Sequence, residues 1–255
     1  MTLTLTAVQN IPMIQPGDNL AEIVFQSLQK SDIHLEDNDI LVFAQKIVSK
    51  AENRLVNLTQ VDASPEAVEL AQKVDKDPRF VELVLRESKS VLRARPGLLI
   101  VEHRHGFVCA NAGIDHSNVR GSWGNPEDWV LLLPEDPDSS AEHLRQEIEK
   151  ASGVKLGVLI IDSHGRAWRN GTVGITIGLS QVPGIVDMRG KPDLFGYHLR
   201  VTLIAAADEL AAAASLVMGQ ADERLPLVHV RGFPYLLRES RLQELFRPKE
   251  LDMFR

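Results

Sequence analysis

The chain has 255 residues, of which 44% are apolar and 25% charged, a balance that excludes a disordered chain and allows a sizeable core. Its net charge of -7 argues against a nucleic-acid polymer or an anionic membrane as main partner, but not against small anions held by clustered cations. A single cysteine, Cys109, excludes an internal disulfide framework and a thiolate zinc cluster.

From the N-terminus, Leu3, Leu5 and Ala7 alternate with threonines and predict a half-buried strand. Asp18 is placed to cap a helix whose face carries Leu20, Val24 and Leu28. Ile40 to Ala44 reads as a short apolar strand, and Gln45 to Glu52 as a polar, basic segment after it. Ser64-Pro65 and Asp77-Pro78 each join a capping residue to a first-turn proline and predict two helix starts. Leu98 to His103 and Gly106 to Ala110 predict a hairpin turning through Arg104-His105. His103 and His105 share a face by spacing, but at a hairpin tip they read as a solvated turn rather than a metal pair. Gly121 to Trp129 has loop composition and the look of an insertion.

Ser139 with Glu142 forms a capping-box pattern for a helix ending by Gly153. Leu156 to Ile161 reads as a buried strand stopping at Asp162, Val173 to Ile177 as another, and Val201 to Ala206 as a third. Asp208 is expected to cap an alanine-rich helix ending at Gly219, and Leu227 to Val230 to form the last strand. Strands and helices do not alternate regularly, so an α+β fold with a mixed sheet is expected. The whole of 1–255 reads as one unit, with a weak boundary near 65–95 where helices interrupt the strands. No apolar run reaches the roughly 18 residues of a spanning helix, and the N-terminus has no signal-peptide pattern, so a cytoplasmic protein is expected.

The familiar phosphate loop, dinucleotide fingerprint, zinc-protease helix and nucleophile elbow are all missing. The richest segment is DSHGRAWRNG. Asp162 ends a buried strand, where crevices open; Ser163 adds a neutral oxygen suited to Mg²⁺ or Mn²⁺; Arg166 and Arg169 suit phosphate or carboxylate oxygens. NAGIDHSN offers Asp115 as a second metal ligand and Asn118 as a hydrogen-bonding group. Lys46 and Lys50 could neutralise phosphates, and Met218 to Glu223 forms a glycine-containing acidic loop. Taken alone, each segment reads more readily as an ordinary polar turn, loop or helix cap. Cys109 reads as packing rather than as a nucleophile.

Taken together, DSHGRAWRNG, NAGIDHSN, AQKIVSKAE and LVMGQADE resemble the motif set of the coenzyme F420:L-glutamate ligases, the gamma-glutamyl ligases. IPMIQPGD and KPDLFG resemble two further stretches, so the likeness runs in order over residues 5–235. The resemblance implies a GTP-dependent enzyme that joins L-glutamate to a phospholactyl-deazaflavin through an acyl phosphate, with gamma-linked extension open. It places two divalent cations, Mg²⁺ or Mn²⁺, on Asp115, Asp162, Ser163 and Gln220, and admits a monovalent cation such as K⁺. Nucleotide contacts fall on Ile11, Pro12, Met13, Ile14, Gln45, Lys46, Lys50 and Asn118, and on Leu216, Val217, Met218, Gly219, Gln220, Ala221, Asp222 and Glu223. Arg166 and Arg169 are the expected catalytic cations. The family fold implies an intertwined homodimer with small-molecule substrates only; the fused C-terminal flavin domain of some members is not expected here.

There are departures from the pattern. Ala167 stands where many members have proline, and Asn53 replaces a glycine, a change asparagine tolerates in the left-handed conformation. The Gly121–Trp129 insertion directly follows Asn118 and bears on the acceptor pocket. Rival readings are a ligase for a related acceptor or amino acid, a metal-dependent nucleotide hydrolase, and a non-catalytic nucleotide-binding homologue.

Overall fold

Alternation along the strands decides which residues line each side of the central sheet. In strand β2 (Ile40–Ala44), Leu41 and Phe43 face one core, while Ile40 and Val42 face the other. Strand β8 (Gly157–Arg166) repeats the division with Val158 and Ile160 against Leu159 and Ile161. The computed structural model describes residues 2–253. Before β2 come β1 (Thr4–Ala7) and helix α1 (Leu20–Lys30); after it come α2 (Gln45–Ala51) and β3 (Leu55–Asn57). Next are α3 (Pro65–Val74), α4 (Pro78–Arg86), β4 (Ser88–Arg95), β5 (Leu98–His103), β6 (Val108–Ala110) and β7 (Trp129–Leu131). Helix α5 (Pro137–Ser152) precedes β8; β9 (Arg169–Ser180), β10 (Val186–Asp187), β11 (Leu203–Ile204), α6 (Ala206–Met218) and β12 (Leu227–Arg231) complete the order.

The central sheet runs β1-β12-β2-β8-β9, and its β2–β8 pair is parallel while the other pairs are antiparallel. A three-stranded sheet, β4-β5-β6, and the two-stranded pairs β3-β7 and β10-β11 complete a mixed fold with several sheets, as expected for the α+β class. Helix α6 covers one face of the central sheet and α5, with α1 packed on it, covers the other, while α3 and α4 pack on each other and on β4.

Several local signals work as read. Ser64 and Asp77 cap α3 and α4, each accepting from a first-turn N–H, and Gly153 ends α5 at φ +79°. Asn53 adopts φ +57°, the conformation its glycine counterpart would use.

Others are corrected. Asn19, not Asp18, caps α1; Asp18 instead accepts from the N–H of Gln15 at 2.7 Å and closes the preceding loop. Asp136 caps α5 three residues before the capping-box serine, because Pro137 already suits the first helical turn. Asp208 lies inside the first turn of α6, whose cap is Ala205, and its carboxylate accepts from Thr176 N–H on β9 at 2.9 Å. The strand over 201–206 shrinks to Leu203–Ile204, and Gln45 to Ala51 is helical rather than an open basic segment. The strand over 173–177 is the middle of the longer β9, and β4 adds a strand in the region read as helical.

His103 and His105 are not a solvated turn. His103 is fully buried, its ring stacked on Phe107 at 4.9 Å, and burial pushes its pKa down to about 2. Arg104 beside them is held by Glu87 and Glu135, the same acids that hold Arg54.

At the end of the sheet opposite the candidate site, Asp39 is 2% exposed and accepts hydrogen bonds from His229 at 2.8 Å and from Arg231 at 2.8 and 2.9 Å. Burial alone would raise this carboxyl, but the His229 and Arg231 bonds hold it at about 2. A depressed folded pKa means that its stabilisation is complete above the unfolded value near 4 and is lost as pH falls through about 2. Asp39→Asn is therefore expected to cost about 2 kcal/mol near neutral pH. Urea unfolding at a series of pH values checks this; a difference from wild type that stays constant down to pH about 2 would contradict it.

Candidate active site

Parallel strands deliver their carboxyl ends to the same edge of a sheet, and such an edge opens into a crevice. Ala44 at the end of β2 pairs with Ile161 of β8, so Gln45 and Asp162 leave the sheet side by side. Gln45 turns into α2 and is 1% exposed. β8 does not stop at Asp162, contrary to the reading of the apolar run. It continues to Arg166 as a two-stranded ribbon with β9, and Asp162 marks the point where the parallel partner is lost.

Asp115 reaches this edge from a loop fixed by two backbone hydrogen bonds to Leu131, at 3.0 and 2.9 Å. Gln45 Nε2 donates to its Oδ2 at 2.7 Å, and Ser49 Oγ, donating to Gln45 Oε1 at 2.8 Å, fixes the amide's orientation. Lys46 Nζ lies 3.2 Å from the same carboxylate and donates to Ser117 Oγ at 3.1 Å. Lys50, one turn further along α2, donates to the Asn118 carbonyl at 2.8 Å. Asn118 adopts φ +58° and its Nδ2 donates to the Ala221 carbonyl at 3.0 Å. On the other side, Ser163 Oγ donates to Gln220 Oε1 at 2.8 Å, while Gln220 Nε2 donates to Ser215 Oγ at 3.0 Å. Four segments distant in sequence thus converge on one edge.

The electrostatics divide the two acids. Burial, then the negative charge of Asp162, pushes Asp115 up to about 6, with Lys46 pulling the other way. Burial also opposes ionisation of Asp162, but the His164 hydrogen bond at 2.9 Å and the adjacent positive charges hold its carboxyl below the usual range. Burial and the Lys46 charge lower Lys50. Cys109 is buried, and burial together with Asp162 pushes its thiol up to about 12, which leaves it packing the core.

A family model described as F420-0:Gamma-glutamyl ligase matches residues 9–232. The chain belongs to this family. It is 44% identical over 257 residues, all of both chains, to the coenzyme F420:L-glutamate ligase of Methanothermobacter thermautotrophicus. Against the enzymes of the same name from Methanopyrus kandleri and Archaeoglobus fulgidus, identity is 44% and 41%; each match spans all of this chain and 98% and 97% of the relative. Family membership makes this an enzyme of the amide-forming ligase class.

Not every residue singled out for the ligase site meets at the acid pair. Arg166 and Arg169 face each other across the tip of the exposed β8–β9 ribbon, four residues or roughly 13 Å along the strand from Asp162. Ile11 to Ile14 lie in the loop before α1, with Ile14 buried and Met13 71% exposed; that loop is tied to the end of α2 by Gly17 N–H donating to the Ala51 carbonyl at 2.9 Å. In the 216–223 segment, Met218 is buried, Leu216 projects to solvent, and Glu223 accepts from Ala221 N–H at 2.7 Å. Among the described residues, no three His, Cys, Asp or Glu side chains converge as a metal cluster.

The residue-level reading missed His164, the hydrogen-bond partner of Asp162. Its signal was present, because a residue two places along a strand shares the face of the first. It also missed Ser49 and Ser117, whose partners come from tertiary contacts.

Proposed function

We propose that the enzyme joins L-glutamate to the deazaflavin F420-0, with GTP as the energy source and release of GDP and phosphate. The observation that carries this reading is the juxtaposition of two half-buried acids with two lysines, in a chain that spans nearly all of relatives named for that reaction. In the first step, the γ-phosphoryl group moves from GTP to the acceptor's terminal carboxylate; the bond to GDP breaks and an acyl phosphate forms. The α-amine of glutamate then attacks the acyl carbon, phosphate leaves, and the nitrogen gives up a proton as the amide forms.

The residues fit hard divalent cations such as Mg²⁺ or Mn²⁺. Asp162 is close enough to Asp115 to oppose its ionisation, and Ser163 Oγ and Gln220 Oε1 supply neutral oxygens beside them. Cations bound there neutralise the phosphates and the charge that develops in phosphoryl transfer. His164 orients Asp162, and Gln45 orients Asp115. Lys46 and Lys50 hold the phosphates as point charges, and Asn118 with the 216–223 segment and the 11–14 loop frames the nucleotide. Arg166 and Arg169, on the ribbon that carries Asp162, receive the anionic ends of substrates.

Lys46→Ala or Lys50→Ala is expected to weaken GTP binding by about 1–3 kcal/mol, the scale of charge-assisted hydrogen bonds. Calorimetry showing unchanged affinity in both variants would remove the lysines from the nucleotide site. The reaction itself is tested by mass spectrometry of the deazaflavin after incubation with GTP, L-glutamate and Mn²⁺. A gain of one glutamyl residue is expected; GTP turnover that ignores glutamate and leaves the deazaflavin unchanged would point instead to a nucleotide hydrolase.

A homodimer belongs to the same reading. The segment between β10 and β11 exposes Leu194 and Phe195 almost completely, with Val201 84% exposed, an apolar display that a second copy would cover. Light scattering on the purified protein, giving twice the chain mass, is the expected result.

A further inference from the structure

The loop that carries Asp115 has a second face. Asp115 and Ser117 turn to Lys46, whereas the ring of His116 between them stacks on Phe80 of α4, with centroids 5.5 Å apart. Beside that stack lies a cavity of about 300 Å³, bounded by the start of α4 and by the 126–128 turn of the inserted loop. Its lining carries both signs of charge: Lys76 and Arg79 with Asp77, Glu127 and Asp128. Asp77 already grips Nε and Nη2 of Arg79, at 3.0 and 2.6 Å. Lys76 stands 5.3 Å from the centre of the Phe80 ring and has no carboxylate partner among the described residues. Among the described residues, neither Glu127 nor Asp128 forms a close ion pair, although the charge of Asp128 acts on Arg79.

A cavity lined by both positive and negative groups selects a ligand that itself carries both. Its volume lies at the small end of ligand pockets, about 300–1,000 Å³, which suits an amino acid and not a nucleotide or a deazaflavin with its phosphorylated tail. The inserted loop is already shaped around it. Trp129 Nε1 donates to the Trp123 carbonyl at 2.7 Å, the two indoles meet edge to face at 5.2 Å, and Asn125 accepts from Glu127 N–H. Preformed walls reduce the ordering cost of binding.

We propose that this cavity is the amino-acid subsite, taking an acidic amino acid as its zwitterion. Lys76 and Arg79 receive its carboxylates, Asp128 and Glu127 receive its ammonium group, which gives one proton to solvent before the amine attacks, and the 121–129 loop sets the selectivity. This inference rests on the ligase reading above and assigns that reaction's amine donor to a place one residue along the chain from Asp115.

The full-length protein carries its own reporter, because two of its three tryptophans, Trp123 and Trp129, lie in the loop. L-Glutamate added alone is expected to change the intrinsic fluorescence in a saturable way, and Lys76→Met or Asp128→Asn to abolish that change. In the ligation assay, each variant should raise the KM for glutamate at least tenfold while the KM for GTP stays within twofold. Glu127→Gln, at an exposed position, provides a third variant should either of the others fail to fold. Unchanged glutamate KM in the folded variants, with wild type still producing the glutamyl product, overturns the subsite and leaves the ligase reading standing. A wild-type protein that makes no glutamyl product overturns the ligase reading, and a flat glutamate fluorescence titration then overturns the subsite as well.

Discussion

Asp115→Asn and Asp162→Asn are each expected to reduce glutamyl transfer roughly a thousandfold or more, the scale on which a group stabilising transition-state charge acts. Asparagine keeps the size and the oxygen that accepts from Gln45 or faces His164, but removes the charge a hard cation needs. The same change should not harm the fold. Folding raises the Asp115 carboxyl to about 6, so the ionised group opposes the folded state above that pH, and the opposition fades as pH falls towards the unfolded value near 4. In metal-free protein, Asp115→Asn should therefore melt at a higher temperature than wild type near neutral pH, and the advantage should disappear in mild acid. Such a gain in stability with a loss of activity marks a site shaped for function. Near wild-type transfer by both variants at limiting Mn²⁺ would overturn the metal assignment; a lower melting temperature for Asp115→Asn would overturn the electrostatic account.

Gly174→Val should lower both stability and activity, for a reason of packing rather than backbone strain. A Cβ at Gly174 would lie 2.6 Å from the Ala211 carbonyl oxygen and 2.5 Å from Ser215 Cβ, so α6 would have to move. Gly174 is the cross-strand partner of Ser163, and α6 leads directly into the Gln220 loop that accepts from Ser163. A helix displaced there separates Ser163 from Gln220. The expected cost is about 1–3 kcal/mol of stability, as for other overpacked positions, with a further loss of transfer rate in the protein that remains folded. Denaturant unfolding and steady-state kinetics measure the two effects. A variant with wild-type stability and rate would show that α6 does not need its close approach to β9.

What could be read from the residues alone is what local chemistry encodes. Ser64-Pro65, Asp77-Pro78 and Gly153 mark helix ends through caps a few residues long, and Ile40–Ala44 is apolar enough to be a buried strand anywhere. α2 was hidden because seven residues carry too few turns to show a periodic stripe. β4, SKSVLRAR, buries little and resembles an exposed segment. β8 beyond Asp162 was hidden because a two-stranded ribbon needs no apolar run to hold it. The site residues could be named, but their meeting depends on the pairing of Ala44 with Ile161, which no short window of sequence contains. His103 misled for the related reason that its burial is tertiary: Phe107, on which its ring stacks, is itself packed by His164 and Phe246 from distant parts of the chain.

The place of β12 has a consequence for how the protein is made. β12 lies inside the central sheet, between β1 and β2, although it is the last strand among the described residues. A ribosome releases β1 and β2 early, but neither can pair with β12 until Leu227–Arg231 has been synthesised, roughly 10–40 s later at 5–20 residues per second. Through that interval the edge of β2 that β12 will cover is open, with fully apolar Ile40, Leu41, Val42 and Phe43 along it. Nascent chains stalled before Leu227 are therefore the form most prone to aggregate.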